Sequence, residues 1–432
     1  MKFHFALLLS AGLLLGLSAC QSNTNSSETK NAAVTSGAAT PLTNGTWRGV
    51  LTAQGQQIPF LFEVDEAGGQ PVVTLRNGEE RLLLDEISAA GDSTTIRLGV
   101  FDAALVVRAD GADKLKGSWV KYDGKEPYRV PFTATKGVNP LFEVMADQKV
   151  ESFDGTWKVT FKDSKGATYP AVGVFEQDGQ NITGTFLTST GDYRYLAGQV
   201  DGAMMKLSTF DGSHGFLFTL TKHSDTKGDT IDYYKGDFYS GKSGHETWTA
   251  VLDPNAKLPD ANALTGMKPG QKKLDFKFPS VYEGGSISPT DPKYKGKVVV
   301  LQILGSWCPN CMDETNFLAS WYEKNKQRGV EIIGLGYERT ADQKVASQKL
   351  LKMKQRMNIG YDLAVAGQAS AAEASKSLPQ LQKVIAFPTT IFLDKKGEVR
   401  KIHTGYSGPG TGKYYAQEVA EFNKTIDQLL AE

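Results

Sequence analysis

The chain has 432 residues, with 48 lysines and arginines against 48 aspartates and glutamates. That balance leaves no electrostatic footprint for nucleic acid or acidic lipid surfaces, so polyanionic partners are not indicated. The length exceeds what one hydrophobic core usually serves and predicts about three domains.

Residues 1–20, MKFHFALLLSAGLLLGLSAC, set a lysine before a short apolar run ending in small residues, the pattern of an export signal. The run is shorter than the ~20 residues that span a membrane. It ends in Leu17-Ser18-Ala19-Cys20, which resembles a bacterial lipobox. The resemblance implies that the Cys20 thiol is acylated and becomes the first, lipid-anchored residue of the mature chain. An ordinary cleaved signal with an incidental cysteine is the alternative. Residues 21–43 are small and polar without hydrophobic period, a flexible tether with a coil reach of roughly 25–30 Å. Gln21 stands where lipoproteins retained on the inner membrane of Gram-negative bacteria carry aspartate. By that resemblance the anchor belongs to the outer membrane, facing the periplasm.

Two stretches repeat one pattern. NGTWRGVLT followed by PFLFEVDEAGGQPVVTLRNG matches DGTWKVTFK followed by AVGVFEQDGQNITGTFLTSTG, and LKGSWVKYDG with VPFTATKG matches YKGDFYSG with ETWTAVLD. Residues 44–137 and 152–253 therefore read as two copies of one unit. Short alternating runs broken by DG, NG and GD turns predict half-buried antiparallel strands, about eight per copy, closing into a small barrel that removes exposed edges. Two open-sided sandwiches are the alternative. The leading Gly-x-Trp strand resembles lipocalin or avidin-type barrels over one short motif. Trp47 and Trp157 would then either floor a ligand cavity or pack the core, the commoner role of a large aromatic.

Residues 254–273 carry Pro, Asn, Gly and Lys without a period and read as a linker. From 274 to 432 strands alternate with helices. The expected elements are a buried strand at 297–304, a helix at 312–328, a strand at 330–337, a helix at 342–357, strands at 389–394 and 399–403 joined by a KKG turn, and a helix at 415–430. Residues 364–384 show no clear strand pattern. This order predicts a parallel sheet with an antiparallel end, so the whole chain is multidomain: two all-β repeats, then an α/β domain.

Within GSWCPNCMDE, Cys308 and Cys311 lie directly after the first buried strand, where ligands meet an α/β sheet. At a helix N-terminus the free N–H groups and the macrodipole favour the thiolate of Cys308. Cys311, one turn on, is placed to attack a mixed disulfide at Cys308, and the pair reads as a two-electron switch. A zinc site would need two more ligands, and neither a second C-x-x-C nor H-x3-5-H spacing among His214, His223, His245 and His403 supplies them. A purely structural disulfide over so short a loop would constrain the unfolded chain little, and neighbouring free thiols do not persist in an oxidising compartment.

From about residue 274 onward the chain resembles the TlpA/ResA-type thiol-disulfide oxidoreductases of the thioredoxin superfamily. KYKGKVVVLQILGSWCPNCMDE, VIAFPTTIFLDKKGEVRKIHTG and a helix-containing insertion between them carry the resemblance. It implies a thioredoxin fold, a cis-proline at Pro388 facing the pair, and a client contact surface made by Trp307, Pro309, Phe387 and Pro388. Glu314 stands where ResA-like members carry a proton-handling glutamate; a solvated carboxylate in the first helical turn is the alternative. Gln302 replaces the buried aspartate of cytoplasmic thioredoxins and cannot titrate, which favours Glu314, or water, as the base. His403 reads as a surface residue.

The implied activity is disulfide exchange with envelope clients, as a reductase, using an upstream thiol reductant and no cofactor beyond the Cys308/Cys311 couple. The competing hypothesis is a binding lipoprotein whose β domains take a ligand or partner. A peroxidase lacks the T-x-x-C signature around Cys308.

Overall fold

The alternating pattern of the first repeat produces nine antiparallel strands, Gly45–Ala53 to Tyr128–Lys136, in a computed structural model describing residues 42–432 apart from 123, 125, 138–139, 147 and 226–230. The expected signal peptide, Cys20 and all but the end of the tether lie outside the described residues. Within this repeat each strand pairs with its sequence neighbours, except that Glu80–Leu84 and Ile87–Ala90 form the two ends of the sheet; the first strand pairs with the last. The sheet is thus curled and barrel-like, with a seam between its end strands.

The second repeat closes. Gly155–Lys162 pairs with both Thr168–Asp178 and Gly244–Leu252, and Thr168–Asp178 pairs on with Asn181–Thr188. The ladder then continues through Leu196–Asp201, Met204–Phe210, Gly215–Asp225 and Ile231–Ser240. These strands make a ring, and the two-residue strand Gly191–Asp192 adds a hairpin to Asn181–Thr188. Both interiors are filled by aromatic side chains. Trp47 and Trp157 are 0% and 1% exposed, and each indole N–H donates to the carbonyl four residues earlier, Thr43 and Phe153, at 2.9 Å. Equivalent tryptophans with the same bond show the repeat in three dimensions and fit packing rather than a cavity floor. Phe186 sits centrally in the second interior, 4.7 Å from Phe218 and 5.0 Å from Trp248 between ring centroids. Phe186→Ala should lower stability by about 3–5 kcal/mol, the cost of a large buried cavity; denaturant unfolding followed by tryptophan fluorescence measures it.

The C-terminal domain has a five-stranded sheet in the order Asp362–Gln368, Val330–Glu338, Val298–Leu304, Thr389–Leu393, Val399–Thr404. The first three strands are parallel and the last two antiparallel, as the alternation of elements predicts. Val298–Leu304 is central and buried at every position, which a continuous apolar run requires. The helices are α1 (Pro309–Asn325), α2 (Gln343–Arg356), α3 (Ala371–Ser377) and α4 (Lys413–Ala431). One expectation is corrected: the stretch without strand pattern holds most of the strand Asp362–Gln368 and all of α3. Its alanines and glycine carry little β-propensity, and it is ordered by pairing at an edge of the sheet.

The region read as a linker lies along this domain. Ala261 and Lys272 carbonyls accept from Thr404 N (3.2 Å) and Val399 N (2.7 Å), and Gly266 O accepts from Gln382 N at 2.8 Å. The described residues belong to one compact unit. Phe210 and Leu217 of the second repeat join the core of the first, and α2 reaches the first repeat through Lys349–Asp102, Lys352–Glu86 and Arg356–Asp85 ion pairs of 3.0, 2.9 and 2.6 Å. Overall charge neutrality thus conceals complementary faces.

Candidate active site

The CPNC residues sit at the junction of the central strand and α1. Cys308 is the N-cap, extended at φ −107°, ψ 109°, and Pro309 takes the first helical position, where its missing N–H costs nothing. Cys311 N–H donates to Cys308 Sγ at 3.2 Å, and the two cysteines form a disulfide with Cα atoms 5.2 Å apart. Cys308 is 5% exposed and Cys311 fully buried. Cys308 is thus the outer sulfur of the pair and Cys311 the inner one.

The loop before the pair is fixed by the neighbouring strand. Ser306 donates through N and Oγ to the buried Glu338 carboxylate, both at 2.8 Å, and Trp307 Nε1 donates to Tyr337 O at 2.8 Å. Gly305 permits this return, because a Cβ there would lie 2.2 Å from Trp307 Nε1 and 2.8 Å from Tyr337 O. Opposite, the Phe387–Pro388 bond is cis and Phe387 O is 3.6 Å from Cys308 Sγ. Phe387 meets Trp307 edge-on at 5.5 Å, and the Arg339 guanidinium lies 4.7 Å over the Trp307 ring. The structure therefore gathers Trp307, Cys308, Pro309, Cys311, Phe387 and Pro388 into one place.

Glu314 lies beneath the pair at 3% exposure. It is a buried group in the second turn of α1, so the picture of a solvated first-turn carboxylate is corrected. Thr390 Oγ1 donates to one of its oxygens and Gln302 Nε2 to the other at 2.8 Å; Gln302 also approaches Cys311 O at 3.5 Å. Burial pushes the Glu314 carboxyl up to about 7, against the pull of those hydrogen bonds. Gln302, which cannot titrate, is thus a link in the network, held by Thr315 and by Tyr361 at 3.1 Å.

His403 is not a free surface residue. Its Nε2 is 2.9 Å from Glu418 and its Nδ1 3.0 Å from Asn262 Oδ1. Burial opposes the imidazolium, but the hydrogen bond and charge of Glu418, together with the charge of Glu314, raise the His403 pKa. A small cavity of about 20 Å³ beside it is lined by Glu314, Thr390, Tyr406 and Glu418 among others.

Sequence reasoning missed the second repeat's part in this site. Arg194 is buried and donates to both Asp313 oxygens (2.7 and 2.8 Å) and to Glu80 Oε1 (2.6 Å), with Asp211 at 3.6 Å. Burial raises Glu80, and raises Asp192 to about 7 with help from Asp313, whereas His214 and Arg194 hold Asp211 down at about 2 despite its burial. Neither Asp313 nor Arg194 is marked by the sequence, because nothing in the strand pattern singles out Arg194 and Asp313 reads as one more acid early in the helix.

With this geometry in view, comparison with known proteins is informative. A Redoxin family model matches residues 268–419. The thiol-disulfide oxidoreductase ResA of Bacillus thuringiensis is 32% identical over 117 residues, 27% of this chain and 59% of that protein. ResA of Geobacillus thermodenitrificans is 30% identical over 143 residues, 33% of this chain and 72% of that protein. A solution structure of a putative protein disulfide isomerase from Bacteroides thetaiotaomicron has 20% identity and a TM-score of 0.30, covering 40% of this chain and 96% of its own. The chain thus spans less than two thirds of some curated relatives it matches, and the two β repeats lie outside the residues that the Redoxin model matches. By the Geobacillus match and the Redoxin match together, the chain belongs to the TlpA/ResA-like thiol-disulfide oxidoreductases of the thioredoxin superfamily.

Proposed function

We propose that the chain is an envelope thiol-disulfide oxidoreductase that reduces disulfides of client proteins and is recharged by an upstream thiol. The observation carrying this reading is the Cys308–Cys311 disulfide at the start of α1, with Cys308 facing the cis Phe387–Pro388 bond. In the reduced protein the Cys308 thiolate is stabilised by the Cys311 N–H and the helix dipole, and attacks one client sulfur. The client's S–S bond breaks, one client sulfur leaves as a thiolate, and the other is held on Cys308. Cys311 then gives its proton to Glu314 and attacks Cys308 Sγ; the Cys308–Cys311 bond forms and the second client thiolate leaves. Two electrons pass to the client, and the oxidised pair is the form in the structure. Trp307, Pro309 and the Phe387 carbonyl border the route of approach.

The reduction potential of the couple tests the direction. A value near that of thioredoxin supports reduction of clients; one near the strongest oxidases reverses the direction.

For localisation we propose a lipid on Cys20 that tethers the folded domains to the outer membrane on its periplasmic side. The lipobox-like Leu17-Ser18-Ala19-Cys20 and the glutamine after it support this. Cys20→Ala should yield a soluble or uncleaved precursor on fractionation, because no thiol remains to acylate. Mature, membrane-bound Cys20→Ala protein would refute the anchor.

A further inference from the structure

The second β repeat lies across the ground between the two banks of the redox site. On one bank, Asn310 of the CPNC turn donates through Nδ2 to Asp192 O at 3.0 Å, and a Cβ on Gly191 would come within 2.7 Å of that nitrogen. On the other bank, Gly405 donates its N–H to Pro388 O at 2.9 Å. A Cβ on Gly405 would lie 3.0 Å from Gly191 N and 3.1 Å from the Thr190 carbonyl carbon. The hairpin tip at 189–192 therefore touches both the first turn of α1 and the residue bonded to the cis-proline. Gly408 N–H donates to Asp192 Oδ2 at 2.5 Å, and Ser213 Oγ donates to Trp307 O at 3.2 Å. The Arg194–Asp313 pair, with side chains 9% and 8% exposed, secures the hairpin's far end to α1.

We propose that this hairpin tip is a specificity element of the site: it occupies ground that a folded client would need beside Asn310 and Pro388, so Cys308 serves slim disulfides, in small molecules or extended chain segments. The inference rests on reading Cys308 as the nucleophile. At Gly405 the backbone of Thr190 and Gly191 comes so close that no side chain and no passing polypeptide fits between, and on the other bank Gly191 lies against the Asn310 side chain. A slim disulfide has only to pass the tip on the side bordered by Trp307 and Phe387; a folded surface would have to displace it together with the buried Arg194 contacts.

The test uses the reduced full-length chain and two maleimides of the same chemistry, N-ethylmaleimide and a maleimide on a polyethylene glycol chain as bulky as a small domain. Labelled cysteines are mapped by mass. Relative to the ratio seen with glutathione, the bulky reagent should modify Cys308 at least roughly tenfold more slowly. Gly191→Ala, whose Cβ would displace the Asn310 amide that holds Asp192 O and whose φ of +136° strains any side chain, and Arg194→Gln, which releases the tip from Asp313, should each bring the ratio, taken against the same variant's own N-ethylmaleimide rate, to within about threefold of glutathione's. The two variants act by unrelated physics, so misfolding of one leaves the other as a test. A wild-type ratio equal to glutathione's, or an unchanged ratio in natively folded Gly191→Ala protein, overturns the proposal. Exclusion of the bulky reagent by a protein that reduces no disulfide supports the sheltering and sinks the functional reading instead.

Discussion

Cys311→Ser should accumulate client proteins on Cys308 as mixed disulfides that survive non-reducing electrophoresis, whereas Cys308→Ser should accumulate few. The geometry gives the reason. Cys308 is the outer sulfur at the helix N-cap, 3.6 Å from Phe387 O, and Cys311 is fully buried behind it. The first attack on a client can come only from the sulfur a client can reach. Resolution comes from Cys311, which already lies within bonding distance of Cys308 in the oxidised form. A hydroxyl is no nucleophile toward a disulfide at neutral pH, so the intermediate then waits for an external thiol and turnover falls by orders of magnitude. Mass identification of the trapped species would also give the client. Equal trapping by both serine variants would mean that neither cysteine is a dedicated nucleophile.

Much of this was legible in the sequence because it is local. The apolar run before GSWCPNC points to the buried strand and the proline to the first helical position, while the second bank at Phe387-Pro388 is implied by the family resemblance of VIAFPTTIFLDKKG and not by any local rule. The Gly-Thr-Trp repeats announced the β domains for a similar reason, since period-two alternation survives in any half-buried sheet. What stayed illegible is what depends on distant partners. Nothing near Arg194 tells that it meets Asp313, 119 residues away. Nothing in LAVAGQ shows that it pairs beside Val330–Glu338. Closure of the second ring but not the first likewise depends on whether Thr168–Asp178 finds Asn181–Thr188 while keeping its other neighbour, a matter of register and curvature that alternation alone cannot report. The burial of Glu314 belongs with these, because its neighbours Thr390 and Gln302 come from two other strands.

That burial predicts an opposite response of stability and activity to Glu314→Gln. The wild-type carboxyl is raised from the model-peptide value of 4.5 to about 7 in the folded protein. Between those two values the folded chain holds a proton that the unfolded chain has lost, so this group's contribution to stability falls as pH rises through the window and is level above it. At about 1.36 kcal/mol per pKa unit the fall approaches ~3 kcal/mol. Other buried acids titrate nearby, Asp192 upward and Asp211 downward, but the difference between wild type and Glu314→Gln isolates Glu314. The variant should match wild type near pH 4 and exceed its stability by a few kcal/mol, to order of magnitude, at pH 8. The carboxamide supplies donors and acceptors to Thr390 and Gln302 as the protonated acid does, so the comparison keeps the packing. Resolution of a mixed disulfide should move the other way. Glu314 has its pKa near the working pH, the condition for a general base, and removing such a base typically costs on the order of 10²-fold. His403 and Glu418 bear on the same carboxyl from the sheet and from α4, one lowering and the other raising its pKa, so the loss should be largest above pH 7, where Glu314 is ionised. Stopped-flow release of a trapped peptide from Cys308, measured against pH beside urea unfolding, reads both effects. A variant that resolves as fast as wild type at pH 8 would remove Glu314 from the proton path and leave it a buried carboxyl that costs stability without serving the exchange.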